Sequence, residues 1–246
     1  VMVLGVFITY KLLDIADLTV DGSFALGGSV CAVLVVSGVD PVLAIFAAML
    51  AGMIAGAVTG FLHTVFEIPA ILAGILTQIA LWSVNLRIMG KSNTPLLRVD
   101  TLFSSVTDAT GLPQNVASII VGLIFAVLII VALYWFFGTE IGSACRATGN
   151  NEAMVRALGV DTKVTKMIAL TLSNGLVGLS GGLICESQGY ADIGMGTGAI
   201  VIGLAAIVIG EVLGRLTPGK LRSFGSRLTA AVVGSVVYFL IRAIVL

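Results

Sequence analysis

The chain has 246 residues, 58% of them hydrophobic and 11% charged, and its thirteen basic side chains are balanced by thirteen acidic ones. Soluble domains are about 45–50% apolar and about 25% charged, so the composition excludes an ordinary soluble domain, and zero net charge gives no electrostatic footprint for nucleic acid. Cys31, Cys145 and Cys185 are scattered and lack C-x-x-C spacing, which suggests neither a disulfide framework nor a zinc site and reads as small packing residues.

A bilayer core of about 30 Å is crossed by about 20 apolar residues of helix. The first two apolar runs, 1–13 and 24–38, fall short of that and flank the polar stretch DIADLTVDGS at 14–23. Acids, hydroxyls and a glycine in such a place suit a broken or re-entrant element with backbone exposed in a cavity; an interfacial loop is the alternative. Runs long enough to cross follow at 41–62, 68–88, 115–137, 166–185, 193–213 and 228–246. The expected fold is therefore an all-α polytopic membrane bundle, at least six helices spanning and about eight transmembrane or re-entrant in total, in one membrane-embedded domain over 1–246. Val1 opens inside an apolar run, with no basic region before it as a secretory signal requires, and the chain stops at Leu246 without a polar tail. Both ends are expected to be cut.

Glycine is abundant, at 30 residues. Membrane helices associate through close backbone approach, for which glycine every fourth residue provides a groove. Gly52, Gly56 and Gly60 form such a ridge, and Gly178 with Gly182 repeats the spacing, so these positions are expected to pack helices together.

The cations are concentrated. Arg146, Arg156, Lys163 and Lys166 lie in the 139–167 connection, and Arg215, Lys220, Arg222 and Arg227 in the 214–227 connection. Loops rich in Lys and Arg stay cytoplasmic, and two helices separate these two, as one shared side requires. The 91–114 loop and the link around Gln188–Asp192 are then external.

Apparent catalytic motifs carry little. Gly90-Lys91-Ser92 resembles the tail of a phosphate-binding loop, but the position needing glycine is Asn85, inside an apolar run. Ser180, in Gly178-Leu179-Ser180-Gly181, would need a histidine base within hydrogen-bond reach, and the one histidine is His63. Asp14, Asp17 and Asp21 suit a proton or metal site as well as a structural break; no metal site is assigned. Polar groups are costly in lipid, which makes Asp21, Ser23, Thr77, Gln78, Ser83, Asn85, Asn174, Glu186 and Gln188 candidates to line a path. Gln78, Trp82 and Asn85 share one helical face, with Trp82 offering a stacking surface. Interhelical hydrogen bonding is the competing account of them all.

The polar island RATGNNEAMVRALG, 146–159, asks for more than a connecting loop does. Asn150 or Asn151 can cap a helix whose Ala153, Met154, Ala157 and Leu158 form an apolar stripe at helical spacing, and Gly159 can stop it. A small-residue stripe suits a shallow protein cleft better than lipid, where bulky anchors are usual.

Here the sequence resembles the permease subunits of ABC importers, in the branch that includes branched-chain amino acid and ribose permeases. Glu152, Ala153 and Gly159 match that family's Glu-Ala-to-Gly coupling element, one residue off its commonest spacing; its terminal proline is missing, Ile168-Ala169-Leu170 being followed by Thr171. Asp17-Leu18-Thr19-Val20-Asp21-Gly22 is similar to the Asp-Leu-Ser-Val-Gly signature of sugar permeases, with an added Asp before Gly. DLTVDGSFALGG, ILAGILTQIALWSVNLRIMG and RALGVDT look most like permeases paired with binding lipoproteins for amino acids, aromatic ones of the tryptophan or tyrosine type favoured.

The resemblance implies a multi-pass protein of a prokaryotic cytoplasmic membrane that performs no catalysis and binds no cofactor. ATP and Mg would be used by a separate ABC ATPase, docked on the 140–167 segment through Arg146, Asn150, Glu152, Ala153, Arg156, Ala157 and Gly159. An extracytoplasmic binding protein would deliver the solute, and a second permease copy would complete a homodimer in the lipid. The rival is an ion-coupled secondary transporter, marked by buried acid or basic pairs; an intramembrane serine protease using Ser180 is a distant third.

Overall fold

The computed structural model describes residues 1–97, 99–111, 113–216 and 224–245. Lys220 and Arg222, which belong to the basic 214–227 connection, lie outside them. The chain is helical almost throughout, and among the described residues six helices are long and apolar enough to cross a membrane.

Helix α1 (Met2–Phe7) continues as a π-turn through Leu12, short of a crossing as its apolar run predicts. After Asp14, in a left-handed conformation with φ 57°, residues 13–18 lead to α2 (Thr19–Val36). The crossing helices α3 (Pro41–Thr64) and α4 (Ala70–Met89) follow. Asp40 caps α3 by accepting from Val42 N–H at 2.8 Å, with Pro41 at the first helical position. Beyond strand β1 (Asn93–Pro95) come the short α5 (Leu102–Thr110) and the long, lipid-facing α6 (Gln114–Gly138). Helices α7 (Glu140–Asn150) and α8 (Glu152–Ala157) lead into α9 (Thr162–Gln188). Strand β2 (Tyr190–Asp192), α10 (Ala199–Leu216) and α11 (Phe224–Val245) complete the described chain.

Two apolar runs behave differently from expectation. The expected break is present at residues 13–18, but the 24–38 run belongs to an 18-residue helix that begins at Thr19 and absorbs the second half of the polar stretch, residues 19–23. Those residues do not break α2 because each has a partner inside the protein: Asp21 binds the start of α10, Ser23 binds Asn174, and Gly22 packs against Leu81 and Gln78 of α4. The 193–213 run, expected to be helical throughout, becomes helix only at Ala199. Residues 193–198 form turns rich in glycine, with Gly198 at φ 81°. This strap descends from β2 along α2, with Met195 over Gly28 and Gly196 against the Asp21 carbonyl.

Helices α2 and α9 are the centre of the bundle, 72% and 78% buried across their apolar windows, whereas α6 and α11 are 22% and 17% buried and face lipid. α3 packs most extensively on α9. The ridge Gly52, Gly56 and Gly60 lies on that contact: an added Cβ would strike the Asn174 carbonyl at Gly52, the Leu170 carbonyl at Gly56 and Met167 Cγ, 3.0 Å away, at Gly60. From α9, a Cβ on Gly178 would come within 2.6 Å of the Ala48 carbonyl oxygen, and one on Gly182 within 3.1 Å of Ala48 Cβ. Close approach of this kind is how helices gain packing energy where the hydrophobic effect offers none.

Sidedness follows from pairings. β1 and β2 form an antiparallel ribbon, Asn93 opposite Asp192 and Pro95 opposite Tyr190, so the two segments expected to be external share one end of the bundle. At the other end Lys163 Nζ meets Glu67 Oε1 at 3.2 Å, and Gly149 of α7 packs on the Leu12 carbonyl.

Candidate functional site

A narrow cleft opens where α2, α4 and the 193–198 strap meet. Asp21, Gly22, Gln78, Trp82, Asn85 and Thr197 form most of its wall. Helical spacing puts Gln78, Trp82 and Asn85 on one side of α4, and the structure turns that side toward Asp21. Asn85 is 1% exposed; its Nδ2 donates to the Gly22 carbonyl at 3.5 Å, while its Oδ1 has no partner among the described residues. Asp21 has a structural role at the same time, since its carboxylate accepts from Gly198 N–H at 3.0 Å and Ile200 N–H at 2.9 Å. It thereby caps α10 from another helix, satisfying donors that a buried helix start leaves open. The cleft encloses about 20 Å3, room for about one water, whereas small-molecule sites run to about 300–1,000 Å3.

Ser23 and Asn174 are not in the cleft. They lie fully buried on the α2–α9 contact, where Ser23 Oγ donates to Asn174 Oδ1 at 2.7 Å and Asn174 Nδ2 donates to Asp17 Oδ2 at 2.7 Å and to the Leu170 carbonyl at 3.1 Å. Asp17 Oδ1 accepts from Thr19 N–H at 3.0 Å, and Thr19 Oγ1 meets Thr59 Oγ1 at 2.8 Å. This network ties three helices together, the role the competing account gave such residues. Glu186 likewise serves the interior: its Oε2 accepts from Leu102 N–H at 2.8 Å and holds the start of α5. Thr77 Oγ1 donates within its own helix to the Ala73 carbonyl.

At the opposite end, Asn151 caps α8 by accepting from Met154 N–H at 3.0 Å, and Gly159, at φ 84°, follows it. Val155 is buried and anchors the helix, while Ala153, Met154, Ala157 and Leu158 are exposed, Leu158 at 73%. Glu152 turns inward: Lys166 Nζ donates to its Oε2 at 2.7 Å, and Arg156 Nη2 and Thr162 Oγ1 to its Oε1 at 2.7 and 3.0 Å. The hydrogen bond from Lys166 holds the Glu152 carboxyl below its ordinary range. Arg146 stands apart on α7, its guanidinium carbon 5.3 Å from the centre of the Phe224 ring, and Asn150 is exposed beside it.

The serine hydrolase alternative fails on distance. Gly178, half a turn from Ser180, packs at Ala48 and Gly52 of α3, and His63 lies eleven residues further along that helix (52 to 63), about 16 Å away. His63 Nδ1 is instead 2.8 Å from the Ile68 carbonyl oxygen.

Comparison with known proteins decides the family. The model of the branched-chain amino acid transport system / permease component family matches residues 1–246. The chain belongs to that family. Among its relatives are the tyrosine transport system permease protein of Clostridioides difficile, 40% identical over 73% of this chain and 58% of its own length, and an uncharacterized protein of Rickettsia prowazekii, 35% identical over 73% and 61%. The ribose import permease protein of Escherichia coli K12 is 30% identical over 67% of this chain and 50% of its own. The chain thus spans between half and about three-fifths of the length of these relatives. No solved structure matches.

The permease is a multi-pass membrane protein, and its sequence had already marked most of the cleft's α4 wall. Ile193 and Thr197, which close the cleft from the strap, carried no signal: they sit in an apolar run that reads as plain helix. Lys166, which sets the orientation of Glu152, was visible only as one of several loop cations.

Proposed function

We propose that this permease is the transmembrane subunit of an ATP-driven importer of a small solute, an amino acid with aromatic ones favoured. The exposed, small-residue face of α8 carries the reading. A two-turn helix anchored by one buried valine, with Glu152 locked inward and Ala153 and Ala157 facing out, gains little by lying on lipid but fits a shallow cleft on a separate ABC ATPase. That partner uses ATP and Mg, and its closure drives α8 and, through the Glu152–Lys166 contact, the foot of α9. Arg146 and Asn150 flank the dock, while Arg156 and Gly159 hold the shape of the helix. The permease itself does no chemistry.

An extracytoplasmic binding protein delivers solute to the end bearing the β1–β2 ribbon. Asp21, Gln78, Trp82 and Asn85 line the path, with Ser23 and Asn174 supporting it from behind through the α2–α9 network. The small volume of the cleft and the half-exposed indole of Trp82 favour a second copy facing it across a homodimer. Tyrosine transport by a relative 40% identical supports an aromatic solute, for which the indole is a stacking partner. Against an ion-coupled transporter stands the placement of charge: the ion pairs among the described residues, Lys11–Glu211, Arg156–Glu152, Lys163–Glu67 and Lys166–Glu152, all lie at the end bearing α8.

Ala153→Trp or Ala157→Trp tests the dock. Overpacking a fitted contact costs about 1–3 kcal/mol, about 5- to 150-fold in association. Each variant is expected to insert and fold yet lose its ATPase on purification and fail in uptake. Normal co-purification and uptake in both would leave α8 a surface helix.

A further inference from the structure

Beside α8, at the same end of the bundle, lies a second feature, which shares Arg146 and Asn150 with the flank of the proposed dock and is otherwise unused by the transport cycle. Two clefts adjoin there, sharing Lys11 and Arg227. The outer one, about 590 Å3, lies between the foot of α1, α7 and the start of α11, and its polar wall includes Asp14, Arg146 and Asn150. The inner one, about 310 Å3, runs up between α1, α10 and α11 past Glu211 and Arg215 to an apolar floor of Phe7, Ile207, Ala230 and Ala231. Four cations face two acids, and one of the acids, Glu211, is already engaged by Lys11 at 2.6 Å.

Arg146 supplies the sharper observation. Its guanidinium carbon lies 5.3 Å from the centre of the Phe224 ring, and its Nε is buried with no hydrogen-bond partner among the described residues. Buried donors are rarely left unpaired, and a guanidinium is suited to donate to two oxygens of a phosphate. A polar, cationic chamber that grades into an apolar one has the order of groups found in a phospholipid, from phosphate through glycerol to acyl chain.

We propose that these joined clefts bind an acidic phospholipid, its phosphate held by Arg146 and Arg227 and its glycerol and upper acyl carbons entering the inner cleft. In the orientation proposed above the clefts open at the cytoplasmic leaflet, whose anionic lipids attract basic groups at the membrane surface. The site sits between α7, which leads into the docking helix, and α11, so bound lipid stiffens the support on which α8 stands. It depends on orientation and on these side chains, not on the identity of the solute or on transport.

The test uses the full-length purified permease with phosphatidylglycerol, phosphatidylcholine or inorganic phosphate, read by lipid retention in native mass spectrometry and by the thermal unfolding midpoint. Phosphatidylglycerol is expected to be retained and to raise the midpoint, with phosphatidylcholine and inorganic phosphate far weaker. Arg146→Gln and Arg227→Gln are each expected to weaken retention about 5-fold, while Arg242→Gln, exposed near the far end of α11, leaves it unchanged. Asp14→Asn keeps the left-handed backbone, which asparagine tolerates, removes an opposing acid and should tighten retention, so the proposal stays testable even if an arginine variant misfolds. Retention unaffected by all three cleft substitutions, or inorganic phosphate matching phosphatidylglycerol, would overturn the assignment.

Discussion

At the scale of single residues, two groups of polar side chains that look alike in the sequence do different work. Asn174 holds Asp17 and Ser23 inside the α2–α9 contact, whereas Gln78 and Trp82 face a cleft and remain partly open. Asn174→Leu keeps the volume but strips a donor from Asp17 and an acceptor from Ser23. Interhelical hydrogen bonds in membranes average about 0.6 kcal/mol, yet a buried group left without its partner costs about 1–3 kcal/mol. The second effect decides here because Asp17 is 2% exposed and has no water to turn to. The thermal unfolding midpoint in detergent is expected to fall by several degrees, and an unchanged midpoint would mean that Asp17 finds another donor. Trp82→Ala and Gln78→Leu should do the opposite, leaving the midpoint in place while lowering uptake. Unchanged uptake in both would assign that face to packing against lipid or protein.

At the scale of elements, what the sequence made legible was local. The cap at Asn151, the stripe from Ala153 to Leu158 and the stop at Gly159 are written in neighbouring residues, and α8 forms as they specify. The glycine ridge of α3 was legible for the same reason, since spacing alone places it on one face. Long-range pairings were not. That α2 runs through Asp21 depends on α10 offering two backbone N–H groups from residues 198 and 200, and that α10 starts late depends on the strap lying along α2. The inward turn of Glu152 belongs to this class, because Lys166 reaches it from a different helix. It has a pH consequence. A carboxyl held below its ordinary range in the folded state takes up a proton more readily when unfolded. Its stabilising contribution is therefore present above the ordinary carboxylate range, about 4.3, and is lost as pH falls through the depressed folded value. The effect is modest, since the side chain is 37% exposed and screened. Backbone amide protection of α8, measured against the middle of α9, is expected to hold above about pH 4.3 and to weaken as pH falls below it. Glu152→Gln should remove that dependence; if α8 loses protection equally in the variant, another group is responsible.

At the scale of the whole molecule, orientation ties the readings together. The ribbon of Asn93–Pro95 with Tyr190–Asp192 marks one end, and α7, α8 and the ion pairs mark the other. Described cations concentrate at the second end, which the positive-inside rule assigns to the cytoplasm. Cysteine labelling can test this in the natural background because Cys31, Cys145 and Cys185 are all buried. Cys145, on α7 outside the spanning helices, is further protected: burial pushes its thiol up to about 11, which leaves little reactive thiolate at neutral pH. Leu158 and Asp108 are both exposed, at opposite ends. With a membrane-impermeant maleimide on intact cells, Asp108→Cys is expected to label and Leu158→Cys to label only after permeabilisation. The reverse pattern would place α8 outside the cell, away from any source of ATP. It would remove the proposed ATPase dock and the proposed lipid site together, because both rest on the same end of the bundle facing inward.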